Sequence, residues 1–177
     1  MYTLNVEKRD LAIKAKKIRK NGMVPCSISD GKKSESIHIQ IPENDAKKLL
    51  REKGKGGKVL IKCKDSESYQ VIIKSVVMKQ LNNEIENITF QLLNENEYVS
   101  SFARIILKNK DKVPTMVYQL VTEIPYRALP QDLVEEVIID LGKLEQGKGL
   151  TLKDLPIWKD SNLQISMGEN TSIVSIS

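Results

Sequence analysis

Residues 58–79 of this chain read KVLIKCKDSESYQVIIKSVVMK. Two runs rich in β-branched and apolar residues, 58–64 and 69–79, flank a short polar stretch, which predicts two strands joined as a hairpin. Alternating apolar and polar residues predict three further strands, at residues 2–7, 36–41 and, less regularly, 85–93. This part of the chain is therefore expected to be rich in β-structure.

Two helices are predicted among these strands. The first spans residues 11–20 and carries Ile18 on its apolar side. The second begins at Pro42, because proline suits a first helical turn, and the glycine-rich run 54–57 ends it. Several strands with two helices are typical of a small β-barrel-like domain.

The second half of the chain has no pattern for a long helix. Apolar runs predict five strands, at residues 97–107, 113–122, 133–141, 162–166 and 172–177. Pro125 and Pro130 predict an irregular stretch between the second and the third of these strands. We therefore predict a mainly β fold with a few helices, in which residues 1–93 form the barrel-like domain and residues 94–177 form an all-β domain.

The charge of the chain is unevenly distributed between these two halves. Residues 1–93 contain 19 Lys and Arg against 11 Asp and Glu, whereas residues 94–177 contain 9 against 12. A basic domain suits a nucleic-acid partner, because its cations release the counterions condensed on phosphates. The second domain is acidic, so we expect it to have a different use.

The basic charge is densest in the segment that reads KAKKIRK. The segment spans residues 14–20 and carries five cations: Lys14, Lys16, Lys17, Arg19 and Lys20. Gly22 and Pro25 follow, and they are expected to end the helix. The helix would present these side chains to a polyanion, although a solvated basic helix face gives the same pattern. Aromatic residues make up only 5% of the chain, so contact with RNA backbone is favoured over stacking on bases.

Catalytic and metal chemistry find little support in the sequence. Cys26, Cys63 and the single His38 are too few for a four-ligand zinc site. His38 falls on the polar face of a predicted strand, where a structural role is expected. Residues 142–148 have the spacing of a phosphate-binding loop, but Gly149 stands where that loop requires Ser or Thr. We predict a binding protein that is not an enzyme and uses no cofactor or metal.

The apolar segments of the chain are short. No run approaches the roughly 20 apolar residues that span a bilayer, and residues 1–10 are polar and charged. We therefore expect a cytoplasmic protein with two reduced cysteines and no membrane partner.

Several motifs, in this order, resemble one family. They are Arg9, Lys16-Lys17-Ile18-Arg19, Asn21-Gly22-Met23-Val24-Pro25, Ala128-Leu129-Pro130, Val137-Ile138-Ile139-Asp140-Leu141, Leu144-Glu145-x-Gly147-x-x-Leu150 and Asp154-Leu155-Pro156. The chain resembles the bacterial large-subunit ribosomal protein twenty-five family, which binds 5S ribosomal RNA. The long two-domain form of that family is also called general stress protein CTC.

The resemblance implies a six-stranded N-terminal barrel and a C-terminal β domain. It implies 5S rRNA and the large ribosomal subunit as partners. We expect the acidic C-terminal domain to contact neighbouring ribosomal proteins or other RNA at its edge. Together with the basic run, it gives a set of candidate RNA-binding residues: Arg9, Lys14, Lys16, Lys17, Arg19, Lys20, Asn87 and Thr89.

The chain departs from the family pattern at positions that would contact RNA. Ser29-Asp30-Gly31 stands where the family has a tyrosine, and the glutamine expected near Val76-Val77 is missing. Asn87-Ile88-Thr89-Phe90 replaces a His-x-Asp-Phe motif. An alternative hypothesis is therefore a diverged paralogue that has lost specific rRNA binding and serves as a stress-related or protein-interaction module.

Overall fold

A computed structural model describes residues 1–31, 35–65, 67–144 and 148–176 of the chain. It divides into two compact units, Met1–Asn94 and Glu95–Ser177, which we call the N-terminal unit and the C-terminal unit. Each unit has its own cluster of buried apolar residues. The predicted mainly β fold with a few helices is confirmed.

The N-terminal unit is a closed six-stranded barrel, as the family resemblance implied. The strands are β1 (Tyr2–Lys8), β2 (Met23–Ser29), β3 (Ser36–Pro42), β4 (Lys58–Cys63), β5 (Ser68–Met78) and β6 (Ile85–Leu92). They follow one another around the barrel in the order β1-β3-β2-β6-β5-β4, and β4 closes the barrel by pairing with β1. The β1–β4 and β2–β6 pairs are parallel and the other pairs are antiparallel.

Two helices accompany the barrel, α1 (Ala15–Lys20) and α2 (Glu43–Glu52). Helix α2 buries Ala46 and Leu49 in the same cluster as inward-facing barrel residues such as Ile39, Ile41 and Phe90. Since successive residues of a strand point to opposite faces, their neighbours on β3 and β6 face outwards. The apolar alternation that predicted these strands thus also places polar side chains on the outside of the barrel.

Helix α1 is shorter than predicted, because residues 10–13 form a turn instead of its first helical turn. The amide of Ala12 donates to Asp10 Oδ1 at 2.9 Å, and the amide of Ile13 donates to the Asp10 carbonyl at 3.1 Å. A short acidic side chain that bonds the backbone two residues later competes with a helix in this way. Helix α1 therefore begins at Ala15.

Strand β2 was not predicted, since Pro25 lies inside it. The amide of Glu43 donates to the Gly22 carbonyl at 2.9 Å, which makes Pro25 and Gln40 a non-hydrogen-bonded pair. Pairing of β2 with β6 begins one residue later, at Cys26 and Ile88. The missing N–H of the proline therefore interrupts neither ladder.

The C-terminal unit contains two sheets. A four-stranded sheet has the order β10-β7-β9-β12 and a three-stranded sheet has the order β11-β13-β8. The strands are β7 (Val99–Lys108), β8 (Val117–Gln119), β9 (Glu123–Ala128), β10 (Glu136–Asp140), β11 (Leu150–Thr151), β12 (Gln164–Ile165) and β13 (Ser172–Ile176). Short 3₁₀ turns connect several of them, including Lys110–Lys112 and Leu141–Lys143.

Two predictions for this unit were wrong in detail. The strand expected at residues 113–122 is reduced to β8, and the stretch expected to be irregular around Pro125 contains β9. Pro125 fits into β9 because the pairing with β12 ends at Ile165, which lies opposite Tyr126. Beyond that pair, the Pro125 carbonyl accepts a hydrogen bond from the amide of Ser166 at 3.1 Å, and no N–H is needed from the proline. The motif residues 145–147 lie outside the described residues.

Candidate nucleic-acid interface

Helix α1 presents most of the predicted cations to solvent. It has six residues and no side-chain hydrogen bond at its N-terminal cap, Lys14. Ile18 is its buried residue, 3% exposed, and it fixes the orientation of the helix. Lys14, Lys16, Lys17 and Lys20 are exposed, whereas Arg19 is half-buried. So short a helix is marginal by itself, and its position depends on packing against β2.

Arg19 links this helix to the start of β6. Its Nη1 donates to the Glu86 carbonyl at 3.2 Å, one residue before Asn87. The same region forms a depression of about 310 Å³ lined by Lys16, Arg19, Lys20, Lys79 and Glu84. We call it the basic depression.

The basic depression carries a surplus of positive charge. Its carboxylate, Glu84, is 2.6 Å from Lys79 Nζ, and the pKa of Glu84 is lowered mainly by this hydrogen bond, with further contributions from Asn82 and from the charge of Arg19. Since Lys79 already offsets Glu84, the charges of Lys16, Arg19 and Lys20 remain available. Such a surface attracts phosphate groups.

Arg9 lies immediately after β1 and stabilises the turn that follows it. Its amide donates to the His38 carbonyl at 3.0 Å, and its Nη2 donates to the Ile13 carbonyl at 3.2 Å. The guanidinium thereby holds the turn that leads into α1. Its Nε is buried without a hydrogen-bond partner among the described residues. Arg9 is thus half-buried and positions the basic helix.

Asn87 and Thr89 face outwards on β6, because the alternate residues Ile88 and Phe90 are buried in the barrel. Thr89 lies opposite Ser27 of β2 on one side and Ser75 of β5 on the other. Ser27 in turn lies opposite His38 of β3. The four residues His38, Ser27, Thr89 and Ser75 form a row of donors and acceptors across four strands, which we call the polar row.

Asn87 is next to the polar row and lies opposite Val77 of β5. Its Oδ1 is buried and has no hydrogen-bond partner within the described part of the chain. Val77, in contrast, is 50% exposed. This part of the outer face therefore combines an unsatisfied acceptor with an exposed apolar side chain.

The structure brings part of the predicted site together. The bond from Arg19 to Glu86 places α1 beside Asn87, and the bond from Arg9 to His38 places the turn before α1 beside the polar row. Lys14 and Lys17 are exposed on the helix. Ser27, Ser75 and Lys79 were not predicted from the sequence. Strands β2 and β3 pair residue by residue, with Ser27 opposite His38. Had β2 been predicted, the outward position of His38 would have indicated that Ser27 also faces outwards.

Other kinds of site find no support in the described ranges. They contain no group of three or more His, Cys, Asp or Glu side chains able to hold a metal ion. Nor do the same residues include a helix long and apolar enough to cross a membrane. The arrangement offers cations for phosphates and hydroxyl and amide groups for sugar or base edges, the two kinds of contact that a nucleic acid requires.

Both units match known families. Residues 4–90 match the model of the ribosomal L25p family, and residues 105–177 match that of the C-terminal domain of ribosomal protein TL5. The chain belongs to the bacterial bL25 family, in its long two-domain form. This is a family of structural ribosomal proteins, not of enzymes.

The match to curated relatives covers between 80% and 99% of the chain. The large ribosomal subunit protein bL25 of Finegoldia magna is 24% identical over 99% of this chain and 84% of its own length. The protein of the same name from Lachnoclostridium phytofermentans is 28% identical over 80% of this chain and 75% of its own length. That of Listeria monocytogenes is 26% identical over 99% of this chain and 85% of its own length.

Two residues of the segment 29–31, where the family pattern was expected to have a tyrosine, make hydrogen bonds within the N-terminal unit. Ser29, in the segment that stands in place of the expected tyrosine, donates its hydroxyl to the Phe90 carbonyl at 3.3 Å. The next residue, Asp30, accepts from Asn94 Nδ2 at 3.0 Å. Phe90 is fully buried. Hydrogen bonds therefore hold this segment to β6 and to the residue at the end of the N-terminal unit.

Proposed function

We propose that this chain binds 5S rRNA as a component of the large subunit of cytoplasmic ribosomes. The observation that carries the proposal is the hydrogen bond from Arg19 to Glu86, which joins the basic helix to the outer face of β6 beside Asn87. Membership of the bL25 family and the names of the relatives support the large ribosomal subunit as the assembly to which the chain belongs.

In this proposal α1 and the sheet have different tasks. Lys14, Lys16, Lys17 and Lys20 contact phosphates, and Arg9 holds the turn before the helix. Arg19 holds the helix to β6 and adds its charge to the basic depression. Asn87 and Thr89, with the polar row, face the ribose and base edges. Lysine provides charge without the bidentate geometry of arginine, so most of the affinity would be electrostatic and salt-dependent.

A gel-shift titration with 5S rRNA tests the proposal. Exchanging Lys16, Lys17 and Arg19 for alanine should weaken binding about tenfold or more and reduce the salt slope of log K by about one for each phosphate that is no longer neutralised. The matched control exchanges Lys47, Lys48 and Arg51 of α2, which are exposed and carry the same charges. Circular dichroism should confirm that both variants are folded.

The control separates a site from net charge. If the α2 variant loses as much affinity as the α1 variant, binding depends only on the total charge of the chain. If the unaltered protein does not bind 5S rRNA even at low salt, the proposal fails.

A second candidate function is suggested by the outer face of β5 and β6. Exposed Val77 and Asn87 Oδ1, which has no hydrogen-bond partner among the described residues, are poor substitutes for polar base recognition. They favour a diverged paralogue that keeps the barrel and acts apart from ribosomes, in stress or in protein interaction. Sedimentation of cell lysate distinguishes the two, because a ribosomal component co-migrates with large subunits and the paralogue stays in the ribosome-free fraction.

A further inference from the structure

The C-terminal unit contains a concentrated basic surface that the proposed function does not use. Strands β7 and β10 are parallel, with Lys108 opposite Asp140, so both strands end at the same edge of the sheet. Each continues into a 3₁₀ turn, Lys110–Lys112 after β7 and Leu141–Lys143 after β10. The parallel pairing therefore places the two turns side by side.

Hydrogen bonds hold these turns together. Asn109 adopts a left-handed conformation, φ 57°, and its Nδ2 donates to Asp140 Oδ1 at 2.6 Å. The amide of Gly142 donates to the same oxygen at 3.0 Å. A side chain at Gly142 would lie 3.4 Å from Lys112 Cδ, so the lysine of one turn lies over the glycine of the other. The geometry of the pair is thus fixed by local contacts.

Four lysines surround this junction: Lys108, Lys110, Lys112 and Lys143. All four are exposed. The carboxylates among them, within the described residues, are Asp111 and Asp140, and Asp140 accepts hydrogen bonds from Asn109 and Gly142. The pKa of Asp140 is lowered by the Asn109 hydrogen bond first, and the charges of Lys143 and Lys112 contribute further. We call the four lysines, together with Asp111 and Asp140, the turn patch.

The turn patch differs in charge from the rest of its unit. Residues 94–177 carry 9 basic and 12 acidic residues, and the patch holds four of those cations with two of the acids. The remainder of this half is therefore strongly acidic. Opposite charges segregated in this way direct a polyanion to one edge of the unit and repel it elsewhere.

The composition of the patch favours phosphate over a protein surface. Its cations are all lysines, and the single apolar residue of the two turns, Leu141, is buried. Protein interfaces are depleted in lysine and enriched in aromatic residues, methionine and arginine. Exposed lysines are suited to the backbone of a nucleic acid, where each contact releases counterions.

We propose that the turn patch is a second RNA contact, which binds the phosphate backbone of large-subunit ribosomal RNA. The choice of RNA rests on the proposed function of the N-terminal unit. Four lysines alone would bind weakly, but binding of the N-terminal unit would raise the local concentration of RNA near them. The two contacts would then act together.

The proposal also gives a role to part of the segment 142–148, whose spacing is that of a phosphate-binding loop. In the structure β10 leads into a 3₁₀ turn, where a nucleotide-binding loop requires a helix whose N-terminus faces the phosphates. Gly142 permits the close approach of the two turns, and Lys143 supplies charge. The role assigned to this segment involves only these two residues, both within the described part of the chain.

The test uses the full chain and protein-free rRNA extracted from large subunits. Exchanging Lys110 and Lys143 for glutamate should lower affinity about tenfold or more at roughly 100 mM salt and reduce the salt slope by about two. The matched control exchanges Lys153 and Lys159, which are exposed in the same unit and lie outside the patch. The control should change affinity less than about twofold, and circular dichroism should be unchanged for both.

The outcomes separate this inference from the proposed function. If the α1 variant loses binding and the turn-patch variant equals its control, the second contact is refuted and the function of the barrel stands. If the turn-patch variant loses binding and the α1 variant does not, the proposed function of the barrel is refuted and the second contact stands. If the turn-patch effect occurs with intact large subunits but not with protein-free rRNA, the partner is an acidic protein surface and the RNA proposal is wrong.

Discussion

Tyr126 is fully buried in the C-terminal unit, and its hydroxyl bonds both polar backbone groups of Val134. The amide of Val134 donates to Tyr126 Oη at 2.7 Å, and Tyr126 Oη donates to the Val134 carbonyl at 2.7 Å. Burial raises the pKa of Tyr126, while hydrogen bonds from Ser101 and from the Val134 amide partly oppose this effect. The neutral hydroxyl is therefore favoured in the folded state, and its contribution to stability declines as pH rises above about 10.

Exchanging Tyr126 for phenylalanine should lower the free energy of unfolding by about 1–3 kcal/mol, because both Val134 groups lose their partner. Urea unfolding followed by the fluorescence of Trp158 measures this, since Trp158 is the single tryptophan of the chain. Tyr118, which is 51% exposed, provides the control, and its exchange for phenylalanine should change stability by less than about 0.5 kcal/mol. Equal losses in both variants would contradict the structural role of the Tyr126 hydroxyl.

At the scale of the elements, the end of α1 depends on the backbone of Gly22. Its φ is 72°, and a Cβ there would have no atom within 4 Å. Exchanging Gly22 for alanine should therefore cost only the left-handed conformation, about 1–2 kcal/mol. Asparagine tolerates this conformation, so Gly22→Asn should cost less. Urea unfolding followed by exposure of the Cys26 and Cys63 thiols measures both variants, and an equal loss for alanine and asparagine would refute the explanation.

The same region indicates how much the sequence predicts about elements and about the site. The cation run and the buried Ile18 followed from local spacing, and both are found on α1. The length of α1 and the presence of β2 did not follow, because a hydrogen bond to Asp10 and the hydrogen-bond register around Pro25 decided them. The polar row was not predicted either. Ser27 belongs to β2, which was not predicted, and Ser75 follows a register shift between Ile73 and Ser75 that the sequence pattern does not reveal.

At the scale of the whole molecule, local patterns predicted strands without their partners. The parallel pairs Cys26 with Ile88 and Leu4 with Ile61 join residues distant in sequence, and they are the pairs that close the barrel. Alternation specifies which face of a strand is buried but not which strand lies beside it. The six-stranded closure was therefore available only from the family resemblance. The separation of charge, in contrast, was readable from composition and gives the two units different electrostatic surfaces.

The two buried clusters provide a final prediction, that each unit unfolds as its own cooperative transition. Natural probes separate the units, because Cys26 and Cys63 lie in the N-terminal cluster and Trp158 packs against the C-terminal one. Burial raises the pKa of Cys26 to about 12, so the folded thiol stays protonated and protected at about pH 8, whereas an unfolded thiol reacts.

In one urea titration, thiol reactivity and Trp158 fluorescence should give different midpoints. Gly22→Ala should shift only the thiol transition and Tyr126→Phe only the fluorescence transition, because each variant acts on one core. If either variant shifts both midpoints by the same amount, the chain unfolds as a single cooperative structure, and the division at residues 94 and 95 has no thermodynamic meaning.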